Sequence, residues 1–551
     1  MNRFAFATCA AALTGLAASP LSADTLVDNV NGITIDEEGE VLRFTGLVFD
    51  DDGVIVDVLE RADARPSDID YRLDGEGQVM LPGMIDAHVH VMDIGFAALT
   101  LDLSDTTSLD EALEKIAQFA EDNPGRPWIL GRGWNQEKWG LGRFPTAAEL
   151  DAIVPDRPVW LERADNHANW GNTMAIEGAG ISADTPDPVG GRIIRNADGS
   201  PSGVFIDNAI ALVGSTVPAP RPEDRDAAFA MAQRRLLENG VTAVADMGTP
   251  IEDWQTFRRA GDAGTLNIRI MSYARSLEAM ELIGGPGPTP WLYEDRLRLN
   301  GIKLYLDGAL GSRGATLKEP YEDDPGTRGL PLLTPAQLRN RMSRAALDNF
   351  QTAIHAIGDA ANADVLLAIA ELADSYDGDR RWRIEHAQIV DVEDLAQFGR
   401  HGVIASMQPL HQTSDRTMAE ARLGEDRLGG AYAWRSVLEV GGRLAFGSDA
   451  PVEPADAFAG IAVAISRTDE NGQPFGGWRA QETVSREQAL AAFTSEAAYA
   501  GFAEGRFGRL VVGERADFLL VDRDPLLASP SDIRETQIRE VWIAGERVLS
   551  Q

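Results

Sequence analysis

Cysteine is almost absent from this chain: Cys9 is the only one in 551 residues. It falls inside an N-terminal stretch that reads as an export signal, so the mature protein is expected to have none. Disulfides and zinc–thiolate sites are thereby excluded. Long hydrophobic runs are missing too. Past the N-terminus no segment of about 18 uninterrupted apolar residues occurs, which argues against a transmembrane helix. Basic residues are outnumbered, with 50 Lys and Arg against 86 Asp and Glu and a formal net charge of −36. Such a surface repels phosphate backbones and anionic membranes on average, so neither nucleic acid nor membrane is an expected partner. Histidine is scarce, at seven residues, and the placement of those few is the main chemical clue.

The export signal is read over residues 1–23. Arg3 gives a positive start, an apolar stretch runs from Phe4 to Ala18, and Pro20, Ser22 and Ala23 point to cleavage before Asp24. Phe6-Ala7-Thr8 before Cys9 matches a lipobox poorly, so no lipid anchor is expected. The expected location is periplasmic or secreted.

The length calls for more than one domain. Short strands and turns are predicted up to about residue 80, with Asp50-Asp51-Asp52-Gly53 as a hairpin turn. The centre alternates helices with strands. A helical pattern over 221–239 is stopped by Gly240, and the buried strand Val241-Thr242-Ala243-Val244-Ala245 follows. Thr334-Pro335 opens another helix, and Ser485-Arg486-Glu487-Gln488 is a capping box for one running to near Gly501. Residues from about 125 to 215, rich in Trp, Arg, Gly and Pro, interrupt the alternation as an inserted lobe. Strands return at 510–512, 518–521 and 541–543, so β structure flanks an α/β centre and one sheet domain can use both ends. The alternation means a parallel sheet with crossover helices. A closed barrel and an open doubly wound sheet both satisfy it.

Four histidines sit where strands give way to loops. In Ile85-Asp86-Ala87-His88-Val89-His90 the two histidines are alternate strand residues, so they share a face and suit a metal ion. His355 and His386 end two further strands. Singly each is ordinary; together, at strand ends that converge on one barrel face, they point to a metal centre. Asp449, in Phe446-Gly447-Ser448-Asp449-Ala450-Pro451, reads either as a ligand and proton acceptor or as a turn carboxylate. Lys303, flanked by Ile302 and Leu304, is costly to bury unpaired. It calls for an ion pair with Asp307 or Glu385, or for carboxylation by CO2 to give an oxygen ligand.

This set resembles the amidohydrolase superfamily, in its amidohydrolase 3 branch (YtcJ-like and N-substituted formamide deformylase-like proteins). Leu81-Pro82-Gly83-Met84 through His90 is similar to the opening metal motif. Gly513-Glu514-Arg515-Ala516-Asp517-Phe518 and Val541-Trp542-Ile543-Ala544-Gly545 resemble the closing pieces. Gly133-Trp134-Asn135, Phe144-Pro145-Thr146, Asn166-His167-Ala168 and Asp307 to Arg313 resemble branch-specific stretches. One departure stands out: the family pattern Asp-Gly-His is Asp165-Asn166-His167 here.

The resemblance implies an α/β fold: a (β/α)8 TIM-like barrel over 84–505 carrying the lobe, with a composite β-sandwich from 24–83 plus 506–551. It implies two divalent ions, zinc by the imidazole-rich ligands. His88 and His90 would hold the more buried ion, His355 and His386 the second, and carboxylated Lys303 would bridge them. Asp449 would bind the first ion and carry the proton. His167, Trp134, Ser312, Arg313 and His411 are the candidate substrate contacts. The implied activity is hydrolysis of a non-peptide C–N bond (amide, formamide or cyclic amide) in a small molecule. Esters, lactones and phosphoesters are alternatives with the same ligands, and an inactive periplasmic binding protein is the alternative of another kind. A homodimer is left open.

Overall fold

The computed structural model describes residues 24–551, so Cys9 and the expected export segment lie outside the described residues. Eight buried strands form one sheet whose spatial order follows chain order. They are Met84–Val89, Val241–Thr249, Arg269–Ala274, Leu297–Tyr305, Gln351–Ala356, Arg383–His386, Ile404–Met407 and Arg443–Phe446. Each neighbouring pair is parallel. Parallel strands are covered on both faces, and their near-continuous apolar character reflects that.

The first and last strands approach each other through the loop after the eighth. The Asp449 N–H donates to the His88 carbonyl at 2.7 Å and the His90 N–H to the Ala450 carbonyl at 2.8 Å. A parallel bridge joins Val89 to Ala450. The sheet is therefore a nearly closed barrel, and the open doubly wound alternative does not occur.

The helix Pro222–Glu238 shows why these segments form. Proline opens it, Glu223 and Asp224 face its N-terminus, and Ala228, Phe229, Ala232, Leu236 and Leu237 bury one stripe. It ends at Gly240, whose φ of +71° suits glycine. Helix Pro335–Leu347 starts on a Thr334/Gln337 capping box and buries Leu338, Met342, Ala345 and Ala346.

Strands from both ends of the chain share a second sheet. Its order is Glu546–Ser550, Ile538–Ile543, Phe518–Val521, Val79–Pro82, Thr25–Ile35, Val41–Phe49 and Ile55–Leu59, with Tyr71–Asp74 paired to Thr25–Ile35. A third, six-stranded sheet builds the lobe, from Leu101–Asp102 to Pro201–Asp207. It starts earlier than the composition shift near 125, because the shift marks a loop within the lobe, not its edge.

Two sequence expectations fail locally. The helix expected from Ser485 to near Gly501 is two helices, Arg486–Ala492 and Ser495–Ala500. The break frees the Phe493 carbonyl to accept the Ile85 N–H at 2.7 Å, fixing the first barrel strand. Leu510-Val511-Val512 is a turn, not a strand. Leu510 is buried and donates its N–H to Thr34 Oγ1 at 3.0 Å, while Val512 stays exposed.

Candidate metal centre

The first barrel strand points Asp86 and His88 inward, and His90 follows as the cap of helix Val91–Leu99. Asp86 anchors the loop after the eighth strand. Its carboxylate accepts the Ser448 N–H at 2.9 Å, the Ser448 hydroxyl at 2.5 Å and the His88 N–H at 3.1 Å. That loop turns back at Asp449, whose φ of +60° is left-handed. The result brings Asp449 Oδ1 to 3.1 Å from His90 Nε2 and 3.4 Å from His88 Nε2.

Strand alternation alone would send Glu385 and His386 to opposite faces. His386 has φ of +73°, and this left-handed residue turns its side chain inward as well. Its Nδ1 lies 3.9 Å from Asp449 Oδ2. His88, His386 and Asp449 each offer a ligand atom, all within 4.8 Å of one another. The His355 ring sits 4.5 Å from that of His386. Lys303 Nζ lies 3.1 Å from His88 Nε2 and 4.9 Å from the Tyr305 ring. Neither ion pair expected for Lys303 forms among the described residues. Glu385 is taken by Arg383 and His88, and Asp307 accepts the N–H groups of Ile357, Gly358 and Thr316.

The protonation states suit a cation. Burial, with the Lys303 charge, pushes His88 down to about 4. Burial also holds His355 and His386 well below the ordinary imidazole range. Lys303 is lowered to about 8 by burial. Burial alone would raise Asp449, but the surrounding histidines, with hydrogen bonds from His411 and His90, outweigh it and keep it ionised. The donor set is thus three neutral imidazoles, one carboxylate, one readily neutralised amine, and His90, which the Asp449 hydrogen bond and charge raise against burial.

Three outer contacts orient it. Glu385 Oε2 accepts from His88 Nδ1 at 2.6 Å, leaving Nε2 with a lone pair for the centre. Gln408 Oε1 does the same for His386 Nδ1 at 2.9 Å. Arg383 braces Glu385 from below at 2.5 Å, fully buried. His355 Nε2 is buried without a hydrogen bond, and Asp449 Oδ1 faces only the ring nitrogens of His90 and His88, at 3.1 and 3.4 Å. A buried polar atom is costly to leave unpaired, and a divalent cation supplies what His355 Nε2 lacks. The residues fit the group.

The cluster opens into a cavity of about 1600 Å³, roofed by the lobe. His167 reaches in from the lobe, its ring 5.3 Å from that of His355 and its Nδ1 bonded to Asp207 Oδ1 at 2.7 Å. Burial disfavours its charge, yet the Asp207 hydrogen bond and charge hold it up at about 9. His411, in the first turn of helix Pro409–Leu423, lies 3.3 Å from Asp449 Oδ2 and 3.4 Å from Glu453.

The other proposed substrate contacts are elsewhere. Trp134 is fully buried in the lobe core, donating to the Leu161 carbonyl at 2.9 Å and packed on Trp170. Its neighbours Gly133 and Asn135 line the cavity instead. Ser312 is buried against the Ala309 carbonyl at 3.3 Å. Arg313, at φ of +56°, turns away to pair with Asp323 at 2.9 Å.

Sequence reasoning gave no orienting role to Glu385, took Asp307 only as a partner for Lys303, and missed Gln408 and Asp207. Glu385 carried a usable signal, a charged residue directly before a candidate ligand histidine in a buried strand. Asn166 is explained by its backbone. Its φ of +61° is the region glycine adopts freely and asparagine tolerates best among other residues.

Barrel, terminal sheet and histidine cluster together define a metal-dependent hydrolase architecture. The chain belongs to the amidohydrolase family, in its amidohydrolase 3 (YtcJ-like) branch: the family's sequence model matches residues 73–549. The Bacillus subtilis protein YtcJ is 32% identical over 531 residues, spanning 94% of this chain and 97% of its own. The N-substituted formamide deformylase of Arthrobacter pascens is 27% identical, over 86% of this chain and 89% of its own. An uncharacterized metal-dependent hydrolase from Pyrococcus horikoshii superposes with a TM-score of 0.74 at 25% identity, covering 92% of this chain and 99% of that one. Among the described residues no helix is long and apolar enough to cross a membrane.

Proposed function

We propose that this protein hydrolyses a non-peptide C–N bond, of amide, formamide or cyclic amide type, in a small molecule. Its architecture would be a (β/α)8 barrel with a composite β-sandwich from both termini. The carrying observation is the convergence of His88, His90, Lys303, His355, His386 and Asp449, with His355 Nε2 left unpaired. The kinship with a formamide deformylase favours C–N bonds over esters, lactones and phosphoesters.

His88, His90 and Asp449 would hold one divalent cation and His355 and His386 a second, with Lys303 between them as its carbamate. A lowered amine pKa favours that modification, since only the neutral amine adds CO2. Bound zinc supplies Lewis acidity, which polarises a carbonyl and makes a neighbouring water more acidic. The chain's own groups do the rest. Asp449 Oδ2 accepts the proton of the attacking water and returns it to the departing nitrogen. His411 Nε2, 3.3 Å from that oxygen, steadies its charge. His167 extends from the lobe as a donor to the substrate oxygen, and the lobe excludes bulk water. The N-terminal sequence supports export to the periplasm or medium, which fractionation of the expressing cells would test.

A hydrolysis screen over N-acyl amines, formamides, cyclic imides and lactones tests the bond type. The expected result is turnover of one C–N class, abolished by a chelator and restored by zinc. Turnover confined to lactones or other esters would overturn it, and a metal-free, inert protein would favour the binding-protein alternative.

A further inference from the structure

One buried guanidinium on the cavity wall makes no ion pair among the described residues. Arg132, in lobe strand Ile129–Trp134, is only 6% exposed and lines the cavity that also holds His90, His167 and Asp449. A guanidinium carries five N–H donors. Among the described residues Arg132 uses one of them: Nη2 donates to Asn166 Oδ1 at 3.2 Å. Its Nε is buried with no partner at all.

The other buried arginines differ. Arg269 is paired with Asp517, Arg383 with Glu385, Arg422 with Asp323 and Glu137, and Arg163 with Asp165 and Gln136. Arg467 also lacks a carboxylate, but it donates to the carbonyls of Trp478 and Tyr432 and lies against two tryptophan rings away from the cavity. Glu162 is the cross-strand register partner of Arg132, yet no ion pair forms between them. Burial pushes Glu162 up to about 7 against the pull of the Arg132 charge, and the guanidinium donors stay unused on that side.

A buried, fixed charge with idle donors is costly unless something completes it. Asn166 holds this one in place and is followed directly by His167, whose ring abuts that of His355. Arg132 and the histidine cluster line one cavity. We infer that Arg132, positioned by Asn166, binds a carboxylate on the far end of the substrate, so that the enzyme acts on N-acyl compounds bearing a free acid. A planar carboxylate matches the guanidinium fork in two parallel hydrogen bonds. The acidic residues Asp93, Glu162 and Asp165 on the same cavity favour this singly charged group over a phosphate. The inference rests on the C–N hydrolase reading only for the bond that is cut.

The test compares metal-loaded wild type, Arg132→Gln and Asn166→Gly on N-formylglycine, N-formyl-β-alanine and N-formyl-4-aminobutyrate, each beside its primary amide. The reading is the acid-to-amide ratio of kcat/KM. In wild type at least one pair should favour the acid, and Arg132→Gln should lower that ratio about 10- to 100-fold, the worth of a charge-assisted contact. Asn166→Gly, which its left-handed backbone accepts, should lower it less and through KM.

A ratio near one for every pair in wild type, or an undiminished ratio in Arg132→Gln, would overturn the inference. So would a stronger preference for phosphate-tailed formamides. If Arg132→Gln does not fold, by circular dichroism, an undiminished ratio in Asn166→Gly decides against it. If nothing is hydrolysed, the C–N reading fails alone. The same pairs in isothermal titration then decide, with tighter binding of the acids expected and equal binding contradicting the role of Arg132.

Discussion

At the scale of single residues, the centre depends on two positions where the backbone leaves its ordinary range. His386 and Asp449 have φ of +73° and +60°. Non-glycine residues held there cost about 1–3 kcal/mol each, and such strain concentrates at functional sites. At Asp449 the hydrogen bonds of the loop to Asp86 and to the His88 carbonyl offset that cost. Asp449→Asn should keep the fold, read by circular dichroism, and reduce turnover about 100-fold or more. Unimpaired turnover would remove Asp449 from the proton path. Glu385→Gln should weaken zinc affinity about 10- to 100-fold in a chelator competition. Wild-type affinity would mean that the Glu385–His88 contact does not orient the ligand.

His167 gives a pH prediction for the metal-free protein. Its folded pKa, about 9, lies above the ordinary 6.5 because of Asp207. The stabilisation is fully present below pH 6.5 and lost as pH rises through 9. The melting temperature of His167→Gln should therefore fall less steeply between pH 6.5 and 9 than that of wild type. Parallel slopes would show that the pair is not charged in the folded state.

At the scale of elements, a fully buried ion pair helps tie the barrel to the terminal sheet. Arg269 opens the third barrel strand and makes two hydrogen bonds to Asp517, of 2.5 and 2.8 Å, both groups buried. Removing one partner strands a buried charge, so Asp517→Ala should destabilise by about 3–5 kcal/mol. Denaturant unfolding followed by tryptophan fluorescence measures this, and a loss below 1 kcal/mol would show that the two parts hold together otherwise.

Elements were the most legible feature of the sequence. The buried strand from Val241, the capped helices from Pro222 and Pro335, and the shared sheet of both chain ends all follow from local pattern. Pattern could not show that Thr494 would interrupt a capped helix, because the reason is a carbonyl needed by Ile85, hundreds of residues away in sequence. It could not distinguish Trp134, turned into the lobe core, from its cavity-lining neighbours. Nor could it show that Ser312 and Arg313 turn away from the cavity that Gly311 lines. The spacing of His88 and His90 did announce a shared face, whereas their convergence with Lys303 and His386 is a property of the barrel.

At the scale of the whole molecule, eight strand ends gather side chains from residues 88 to 449 under a lobe inserted after the first strand. The barrel supplies the candidate ligands and their bracing, and the lobe supplies His167, Asn166 and Arg132. The two tasks are thus divided between separate sheets. The measurement that tests this most directly is diffraction from crystals grown with zinc, with anomalous maps recorded on either side of the zinc edge. The account predicts two zinc peaks among His88, His90, Lys303, His355, His386 and Asp449. No anomalous peak there, or zinc bound only at the acidic surface, would contradict it.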